Sequence, residues 1–527
     1  MRVKIFNRGF NGVASLLSGV LLFWAFPKYD LWWLAWIGFL PLLIVLHRES
    51  CKRSFWWSYL CGIVFFAGIF NWVLEVPGYK FYHHAILIPY LGLYFGIFGW
   101  LISYLNKHWN PAAAFLSAPF LWVALEFLRS NLSFLALPWA LLAHSQYQSP
   151  TTIQIASVTG AYGVSFLIMA VNSAVCAVVL PLLISAADTQ ITYYRLPSKR
   201  FRAVLFCTVV LFVTGTLVFG HLSISNQNTE RHIKVAVVQG NIDREKKRHL
   251  KKNGQHIMQR HELLTMKAAA DTPELIVWPE AATPGFLLKN KSLMRQMTTI
   301  IRQADTHFLI GSSEYAKFAG NPKDRSKTGN TALYFSPAGK ILDQYLKIQL
   351  VPFGEYLPYQ NIIPWPEFIA PSQTYFEVPG KDFTLFELDS NRFGVIICWE
   401  IVFPGLFRTF VKNGANFMLN ITNEGWFGAT ALNQMVSISV FRAVENRVSL
   451  ARAANTGISC FIDPFGRITG RVTNGGQDKF VDGFLTREIE LSNTLTCYTL
   501  YGDFFAYLCI LISALSVFAA LVKGKRG

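Results

Sequence analysis

The chain has 527 residues, of which 52% are hydrophobic and 15% charged, and its mean hydropathy is +0.32. This length and composition exclude a small soluble domain and favour a membrane bundle joined to a folded domain. The formal net charge of +17 would favour nucleic-acid binding in a soluble protein. Because much of this charge lies in short segments between apolar stretches, we predict no nucleic-acid partner.

Apolar stretches long enough to cross a bilayer recur along the chain, most of them before residue 223. Crossing a hydrocarbon core of about 30 Å takes roughly 20 apolar residues in a helix. A single stretch of this kind would be interpreted as a buried core helix, but their number predicts a polytopic α-helical bundle of about eight transmembrane helices. The stretches are 10–26, 30–46, 55–76, 84–105, 111–128, 162–186, 203–223 and 503–522.

The basic residues between these stretches predict the orientation of the bundle, because Lys and Arg are retained on the cytoplasmic side. With the N-terminus inside, the inner segments carry fourteen basic residues and the outer loops carry three. Seven crossings then place the segment after residue 223 outside. We therefore expect a seven-helix transmembrane bundle over 1–223, an outer domain over 224–500, and a final transmembrane helix with a basic inner tail over 501–527.

The outer segment has a different pattern, in which short β-rich runs alternate with helical ones from His232 onward. This alternation predicts a layered α/β domain. The predicted strands are 233–238, 275–278, 308–311, 332–336, 341–346, 393–397 and 417–420, with helices ending near 271 and covering 291–305.

Three residues with complementary chemistry follow strand-like runs of this domain: Glu280, Lys347 and Cys398. Functional sites of open α/β sheets form beyond strand ends, so these side chains can converge despite their separation in sequence. A thiol with an ordinary pKa near 8.5 needs a base or a nearby positive charge to become a nucleophile. Glu280 can accept the thiol proton, and Lys347 can stabilise a thiolate or an oxyanion. Taken singly, however, such a cysteine is more often structural and such a lysine more often solvated.

The cysteines of the outer segment are Cys398, Cys460 and Cys497. They lack the paired spacing of a disulfide framework or a metal site. We therefore predict an isolated reactive thiol and neither a metal nor a cofactor.

Residues 232 to 490 resemble the nitrilase, or carbon–nitrogen hydrolase, superfamily. The resemblance implies an αββα sandwich in which Glu280, Lys347 and Cys398 form the catalytic triad. It is carried by Gln239-Gly240-Asn241, Trp278-Pro279-Glu280, Lys347 with the following Val351–Glu355, Cys398-Trp399-Glu400 and Asn423–Gly428.

The resemblance narrows to the apolipoprotein N-acyltransferase family when the membrane half is included. It implies a bacterial inner-membrane enzyme whose catalytic domain faces the periplasm. Two positions depart from the family pattern: Trp399 replaces a common tyrosine, and Lys247-Arg248 stands where some members have Lys-Trp. The matching segments are Leu125–Arg129, Pro138-Trp139, His144–Gln146, Gly160–Phe166 with Asn172, Tyr345–Tyr356 and Arg452–Ser459.

The activity implied by this resemblance is ping-pong acyl transfer. Cys398 would take an acyl chain from a phospholipid as a thioester. The N-terminal amine of an S-diacylglyceryl cysteine in an apolipoprotein would then accept the chain. The implied partners are the phospholipid donor, the diacylated apolipoprotein and membrane lipids, and we expect a monomer.

The resemblance also implies supporting residues around the triad. Glu355 and Glu400 would hold Lys347 and Glu280, although ordinary strand-end ion pairs are an alternative. Apart from the resemblance, Glu126 and Arg129 lie at the outer end of a predicted crossing, where charges are costly without a role. We predict that they pair and line the lipid entrance, with an interfacial anchor as the alternative. A lid of aromatic residues is a further hypothesis, with scattered core aromatics as its alternative; its members would be Trp365, Phe368, Tyr375, Trp426 and Phe427.

Two other functions and one charged cluster stay open at this stage. The first function is a membrane-anchored nitrilase-type amidase that hydrolyses a small amide with the same triad. The second is a transporter or scaffold whose outer domain only binds. The cluster is the basic run Arg244–Lys252, which either contacts anionic head groups or forms a solvated helix face.

Overall fold

The structure, a computed structural model, describes residues 8–183, 196–225, 231–315, 327–369 and 377–524. The chain divides into two compact units. The first comprises Met1–Asn226 and Tyr501–Gly527, and the second comprises Gln227–Leu500.

The first unit is a bundle of apolar helices, numbered along the chain. Four of its helices before residue 226 are both long and apolar enough to cross a membrane: α5, α6, α9 and α10. The helices are α1 (Arg8–Trp24), α2 (Ala35–Gly38), α3 (Leu40–Leu46), α4 (Cys51–Ile69), α5 (Phe81–His108), α6 (Pro111–Asn131), α7 (Pro150–Ile153), α8 (Ala156–Thr159), α9 (Ala161–Leu183) and α10 (Lys199–Ser225).

The predicted crossing at 30–46 is a broken helix, formed by a 3₁₀ turn at Trp32–Leu34 followed by α2 and α3. Asn172 of α9 bonds to the break: its Oδ1 accepts from Phe39 N, and its Nδ2 donates to Ala35 O, both at 2.9 Å. A peptide group left unpaired in hydrocarbon is costly. The buried Asn172 side chain therefore makes the break tolerable.

The second unit contains two six-stranded sheets. Their strand orders are β12-β1-β2-β3-β4-β5 and β11-β10-β9-β8-β7-β6, with parallel pairs at the centre and antiparallel pairs at the edges. The strands are β1 (His232–Gln239), β2 (Leu275–Val277), β3 (His307–Tyr315), β4 (Thr328–Phe335), β5 (Ile341–Leu346), β6 (Leu385–Leu388), β7 (Asn391–Ile397), β8 (Phe417–Thr422), β9 (Ser449–Ala454), β10 (Cys460–Ile462), β11 (Ile468–Arg471) and β12 (Gly483–Glu490).

The two sheets pack face to face, and helices cover their outer sides. Between the sheets, the ring of Tyr334 on β4 meets that of Phe393 on β7 at 5.4 Å, edge to face. The outer face of the first sheet packs against apolar residues of α12 and α13, such as Met258 and Met297. The helices of this unit are α11 (Arg244–Arg248), α12 (Leu250–Ala269), α13 (Lys291–Ala304), α14 (Pro404–Lys412), α15 (Ala429–Asn446) and α16 (Cys497–Tyr501).

The chain ends in α17 (Phe504–Gly524), which belongs to the first unit and is the fifth helix with the length and hydropathy of a membrane span. The predicted combination of apolar helices and an α/β domain is confirmed. The other three predicted crossings correspond to α1, the broken helix and α4, which do not meet the same criteria of length and hydropathy. For α1, 17 residues rise about 26 Å, slightly less than a typical hydrocarbon core.

Candidate active site

Cys398 lies directly after β7, where the strand turns into the 3₁₀ segment Cys398–Val402. Its φ of +54° is in the left-handed region, which costs an L-residue roughly 1–2 kcal/mol. Such strain persists only where surrounding contacts impose it, and it clusters at functional sites. The side chain is only 8% exposed, so the thiol is presented at a sharp turn within a nearly closed site.

Glu280 lies on the other sheet, three residues after the end of β2. Its Oε2 accepts a hydrogen bond of 2.8 Å from the backbone amide of Asn423, which follows β8. Glu280 is 7% exposed, and burial raises the pKa of its carboxyl above the ordinary value, although Lys347 opposes the shift. A carboxyl with a raised pKa is a stronger base than an exposed one.

Lys347 follows β5 and is fully buried. Its Nζ donates to Glu355 Oε1 at 2.5 Å, and its backbone amide donates to Asn330 O at 2.9 Å. Burial alone would lower the pKa of Lys347, but the carboxylates of Glu355 and Glu280 outweigh it and raise the pKa above the ordinary value. The ammonium of Lys347 therefore stays charged at physiological pH.

The structure brings Glu280, Lys347 and Cys398 into one electrostatic cluster. Burial raises the pKa of the Cys398 thiol to about 12, Glu280 adds to the rise, and Lys347 opposes it. The resting thiol is consequently neutral at physiological pH. Among the carboxylates, Glu280 is the one whose charge acts most strongly on this thiol.

Glu355 and Glu400 occupy different places around this cluster. Glu355 holds Lys347 directly, and its Oε2 also accepts from Val351 N at 2.9 Å. The resemblance implied that Glu355 and Glu400 hold Lys347 and Glu280. In the structure, Glu400 makes no hydrogen bond to Glu280. Its Oε1 instead accepts from the amides of Ile348 and Gln349 at 2.7 and 2.9 Å, and its Oε2 accepts from Ile397 N at 2.7 Å.

Glu400 therefore links two segments, which are the turn after Lys347 and the strand end before Cys398. It also accepts from the Tyr345 hydroxyl at 2.9 Å. The amides of Ile348, Gln349 and Ile397 bond to both oxygens of Glu400, so any support that Glu400 gives to the cluster acts through the backbone beside Lys347 and Cys398. Burial raises the pKa of Glu400 to about 7.

The sequence interpretation missed one acidic residue of the cluster, Glu377. Burial, followed by the charge of Glu355, raises the pKa of Glu377 to about 8. Asn330 Nδ2 donates to both of its oxygens, at 3.3 and 3.2 Å. Glu377 is outside a regular strand and reaches the site through an isolated bridge with Thr328, so no periodic pattern indicates it.

Lys247 stands within the basic run of the sequence and at the departure from the family's Lys-Trp, but its contact with the segment after Glu280 was not predicted. Its Nζ donates to Ala281 O at 3.0 Å, directly after Glu280. Burial lowers the pKa of Lys247 to about 8, with Glu280 opposing the shift. Lys247 is therefore partly buried against the residue that follows Glu280, whereas its neighbour Lys246 is exposed.

The aromatic residues proposed for a lid are not equivalent in the structure. Trp426 is 45% exposed and Phe368 is 54% exposed, whereas Trp365 packs edge to face on Phe353 and donates to Pro358 O at 2.7 Å. Phe427 is partly buried, and its amide donates to Glu424 O at 3.0 Å. Tyr375 lies outside the described residues. The lid remains a hypothesis.

Glu126 and Arg129 lie within α6 of the first unit, both 3% exposed. The predicted direct ion pair is absent between these two described residues. Arg129 instead donates to the carbonyls of Leu137 and Trp139 at 2.9 and 2.6 Å, and Glu126 Oε1 accepts from Leu142 N at 2.7 Å. Both side chains form hydrogen bonds to peptide groups of the irregular segment that follows α6. Unpaired peptide groups there would be costly.

Comparison with known proteins agrees with this arrangement. Residues 234–494 match the carbon–nitrogen hydrolase family model, and residues 18–174 match that of the apolipoprotein N-acyltransferase N-terminal domain. The chain is thus an enzyme with a carbon–nitrogen hydrolase-type domain and a bundle of apolar helices.

Full-length relatives identify the family. The chain is 34% identical to the apolipoprotein N-acyltransferase of Geobacter metallireducens, over 97% of this chain and 95% of that protein. It is 29% identical to that of Chlorobaculum tepidum, over 97% and 96%. An amidase of the nitrilase superfamily from Nesterenkonia AN1 superposes with a TM-score of 0.38 at 18% identity, over 51% of this chain and 95% of that one. The chain belongs to the apolipoprotein N-acyltransferase family.

Proposed function

We propose that the protein transfers a fatty acyl chain from a phospholipid to the N-terminal amine of an S-diacylglyceryl cysteine in apolipoproteins. The transfer proceeds through a thioester on Cys398. The observation that carries this proposal is the convergence of Cys398, Glu280 and Lys347 in one nearly closed cluster. The membership of the chain in its family supplies the substrate classes.

In the first half-reaction, the Cys398 sulfur attacks the ester carbonyl of the phospholipid, and Glu280 takes the thiol proton. The tetrahedral oxyanion is stabilised by the charge of Lys347; the loss of one such donor costs about 2.7–4 kcal/mol in other enzymes. The carbon–oxygen bond then breaks. Glu280 returns the proton to the leaving oxygen, which releases a lysophospholipid and leaves the thioester.

In the second half-reaction, the neutral amine of the acceptor attacks the thioester carbonyl. A carbon–nitrogen bond forms, the amine proton passes to Glu280, and the carbon–sulfur bond breaks. The sulfur of Cys398 receives the proton from Glu280, so the enzyme returns to its starting state. Lys347 stabilises the oxyanion in both halves, held in place by Glu355.

The membrane setting of this chemistry is part of the proposal. Each buried CH2 group favours the membrane by about 0.8 kcal/mol, so neither acylated substrate would leave it for a soluble enzyme. We place eight crossings in the bacterial inner membrane, seven before residue 223 and one after residue 501, with residues 224–500 on the periplasmic side of a monomeric protein. Protease added to intact spheroplasts should cleave within 227–500; cleavage only after lysis would contradict this orientation.

Hydrolysis of a small amide by the same residues is the competing function. It differs in the second nucleophile, which would be water in place of an amine. Purified protein is incubated with radiolabelled phospholipid and a diacylated lipopeptide, with Cys398→Ala as the control. Label that moves to the peptide amine only in the unsubstituted protein supports acyl transfer, whereas label released as free fatty acid would support hydrolysis.

A further inference from the structure

A small cavity in the second unit lies beside the catalytic cluster and has no role in the mechanism above. Its volume is about 180 Å³, and its lining includes Arg244, Lys247, Asn423 and Trp426. The backbone amide of Asn423 bonds to Glu280, and Lys247 bonds to the carbonyl of Ala281, the next residue. The cavity therefore borders the proposed base from two sides.

The walls of this cavity carry positive charge. The guanidinium of Arg244 lies over the ring of Trp426, 4.3 Å from its centroid. The ammonium of Lys247 uses a carbonyl as its hydrogen-bond partner, and no carboxylate among the described residues lies within 4 Å of it. Lys247 is only partly exposed, and the charge of Glu280 acts on it from beyond ion-pair distance. A partly desolvated charge without a directly paired opposite charge is costly. A bound anion would remove that cost.

The size of the cavity limits what the anion can belong to. Pockets that enclose a whole drug-sized ligand measure roughly 300–1,000 Å³, so 180 Å³ holds a single polar group and not a two-chain lipid. Arginine and lysine together are typical partners of phosphate oxygens. The exposed Trp426 at the wall suits a molecule that has one end in lipid and one in water.

We propose that this cavity binds the phosphodiester group of the phospholipid acyl donor, between Arg244 and Lys247. The inference rests on the proposed function, because it requires a phospholipid to deliver its ester to Cys398. The diacylglyceryl cysteine of the acceptor carries no phosphate. The cavity is thus a donor subsite, used in the first half-reaction and vacated with the lysophospholipid before the acceptor reacts.

The ping-pong course allows the two halves to be measured separately. Lys247→Met and Arg244→Met are compared with Lys246→Met, which removes the same charge from an exposed position of the same short helix. Thioester formation on Cys398 is followed by intact mass with phosphatidylethanolamine and phosphatidylglycerol in detergent. Each cavity variant should acylate about 10-fold or more slowly with both lipids, the range expected for a lost charge-assisted hydrogen bond, whereas Lys246→Met should match the unsubstituted protein.

Two controls separate phosphate binding from other roles of Lys247 and Arg244. Discharge of preformed thioester to a diacylated lipopeptide, and alkylation of Cys398 by iodoacetamide, should keep their rates in both cavity variants. The corresponding diacylglycerol, which has the same ester but no phosphate, should acylate the unsubstituted protein slowly and show no further loss in the variants. Equal slowing of acylation, discharge and alkylation would overturn the proposal, because it would mean that Lys247 only tunes Glu280.

The remaining outcomes also decide the proposal. Unchanged acylation rates in both cavity variants would overturn the proposal. This holds even if the cavity were found to bind free inorganic phosphate. Equally fast acylation of the unsubstituted protein by diacylglycerol and by phospholipid would overturn it as well. A protein that forms no Cys398 thioester from any lipid would instead refute the proposed function, so the two failures are distinguishable.

Discussion

Each unit of the molecule buries acidic and basic side chains, but the groups around them differ. In the helical unit, Arg129 donates hydrogen bonds to backbone carbonyls, and Glu126 accepts one from the amide of Leu142. In the α/β unit, the charges of Glu280 and Lys347 act on each other and on the thiol of Cys398. The hydrogen-bond partners of Glu126 and Arg129 are peptide groups, whereas a thiol is among the groups on which Glu280 and Lys347 act.

A second difference lies in the backbone. Glu126 and Arg129 lie in a regular helix. Cys398 has a left-handed conformation, as does Ala281 next to Glu280. The residues with positive φ in the α/β unit thus include Cys398 and the neighbour of Glu280, although such residues also occur elsewhere in both units, as at Ala140. The comparison predicts that substitutions in the α/β cluster change rate constants and that substitutions at the helical pair change stability.

The largest expected effect is at Cys398. Cys398→Ala should abolish both thioester formation and N-acylation, because it removes the only group that bonds covalently to the acyl chain. The assay is transfer of label from phospholipid to a diacylated lipopeptide. Any residual transfer above the enzyme-free blank would break the assignment of the cluster as the reacting centre.

Glu280→Gln should lower the rate of thioester formation by about 10²–10⁴-fold, the usual contribution of a general base. The amide keeps the shape and can still accept from Asn423 N, but it cannot take the thiol proton. Single-turnover acylation measured by rapid quench tests this. An unchanged rate would mean that another group accepts the proton.

Glu355→Gln should slow acylation by about 10–100-fold, since a hydrogen bond to a charged group contributes roughly 1.5–3 kcal/mol. The substitution leaves Lys347 with a weaker partner in a fully buried site. Glu400→Gln serves as the matched comparison: it keeps the acceptor oxygen for Ile348 and Gln349 but changes the bonding at Ile397. It should lower the thermal unfolding temperature more than Glu355→Gln does.

The pH dependence sharpens the same assignment. Glu280 must be ionised to act as a base, and burial raises its pKa. Acylation should therefore fall on the acid side, through a pKa above the ordinary carboxyl value, by about tenfold per pH unit well below it. Single-turnover rates from pH 4 to 9 test this. A rate that instead rises tenfold per unit up to pH 9, as direct attack by a free thiolate with a pKa near 12 would require, would contradict it.

The smallest expected effect on chemistry is at the helical pair. Arg129→Met leaves the carbonyls of Leu137 and Trp139 without their donor, each at a cost of about 1–3 kcal/mol. The unfolding temperature should therefore fall while the single-turnover rate per folded molecule stays within about twofold. Thermal unfolding in detergent and active-site titration supply the two values. If Arg129→Met kept its unfolding temperature but lost much of its single-turnover rate, the proposed difference between the two units would be wrong.

The strand ends could be predicted from the sequence because their cause is local. Short apolar runs before Glu280, Lys347 and Cys398 form β2, β5 and β7. β2 and β5 belong to one sheet and β7 to the other, so the packing of the two sheets is also needed to bring the three residues together. The broken helix at 32–46 could not be predicted, since its stability depends on Asn172, more than 120 residues away.

The supporting carboxylates show the same limit. Two of the three amides that bond to Glu400 belong to Ile348 and Gln349, more than fifty positions earlier in the chain. Glu377 enters the cluster from an irregular segment, through an isolated bridge to Thr328 at the start of β4. Hydrophobic periodicity carries no information about either contact.

The central claim is that Cys398 carries the acyl chain between two lipids, and intact-mass analysis with peptide mapping tests it most directly. The purified protein is mixed with phospholipid alone, quenched in acid and mapped; diacylated lipopeptide is then added to an unquenched sample. We predict an acyl adduct on the peptide containing Cys398 that disappears as N-acylated lipopeptide forms at the same rate. Turnover without any adduct on Cys398, or an adduct that the lipopeptide does not discharge, would contradict the account.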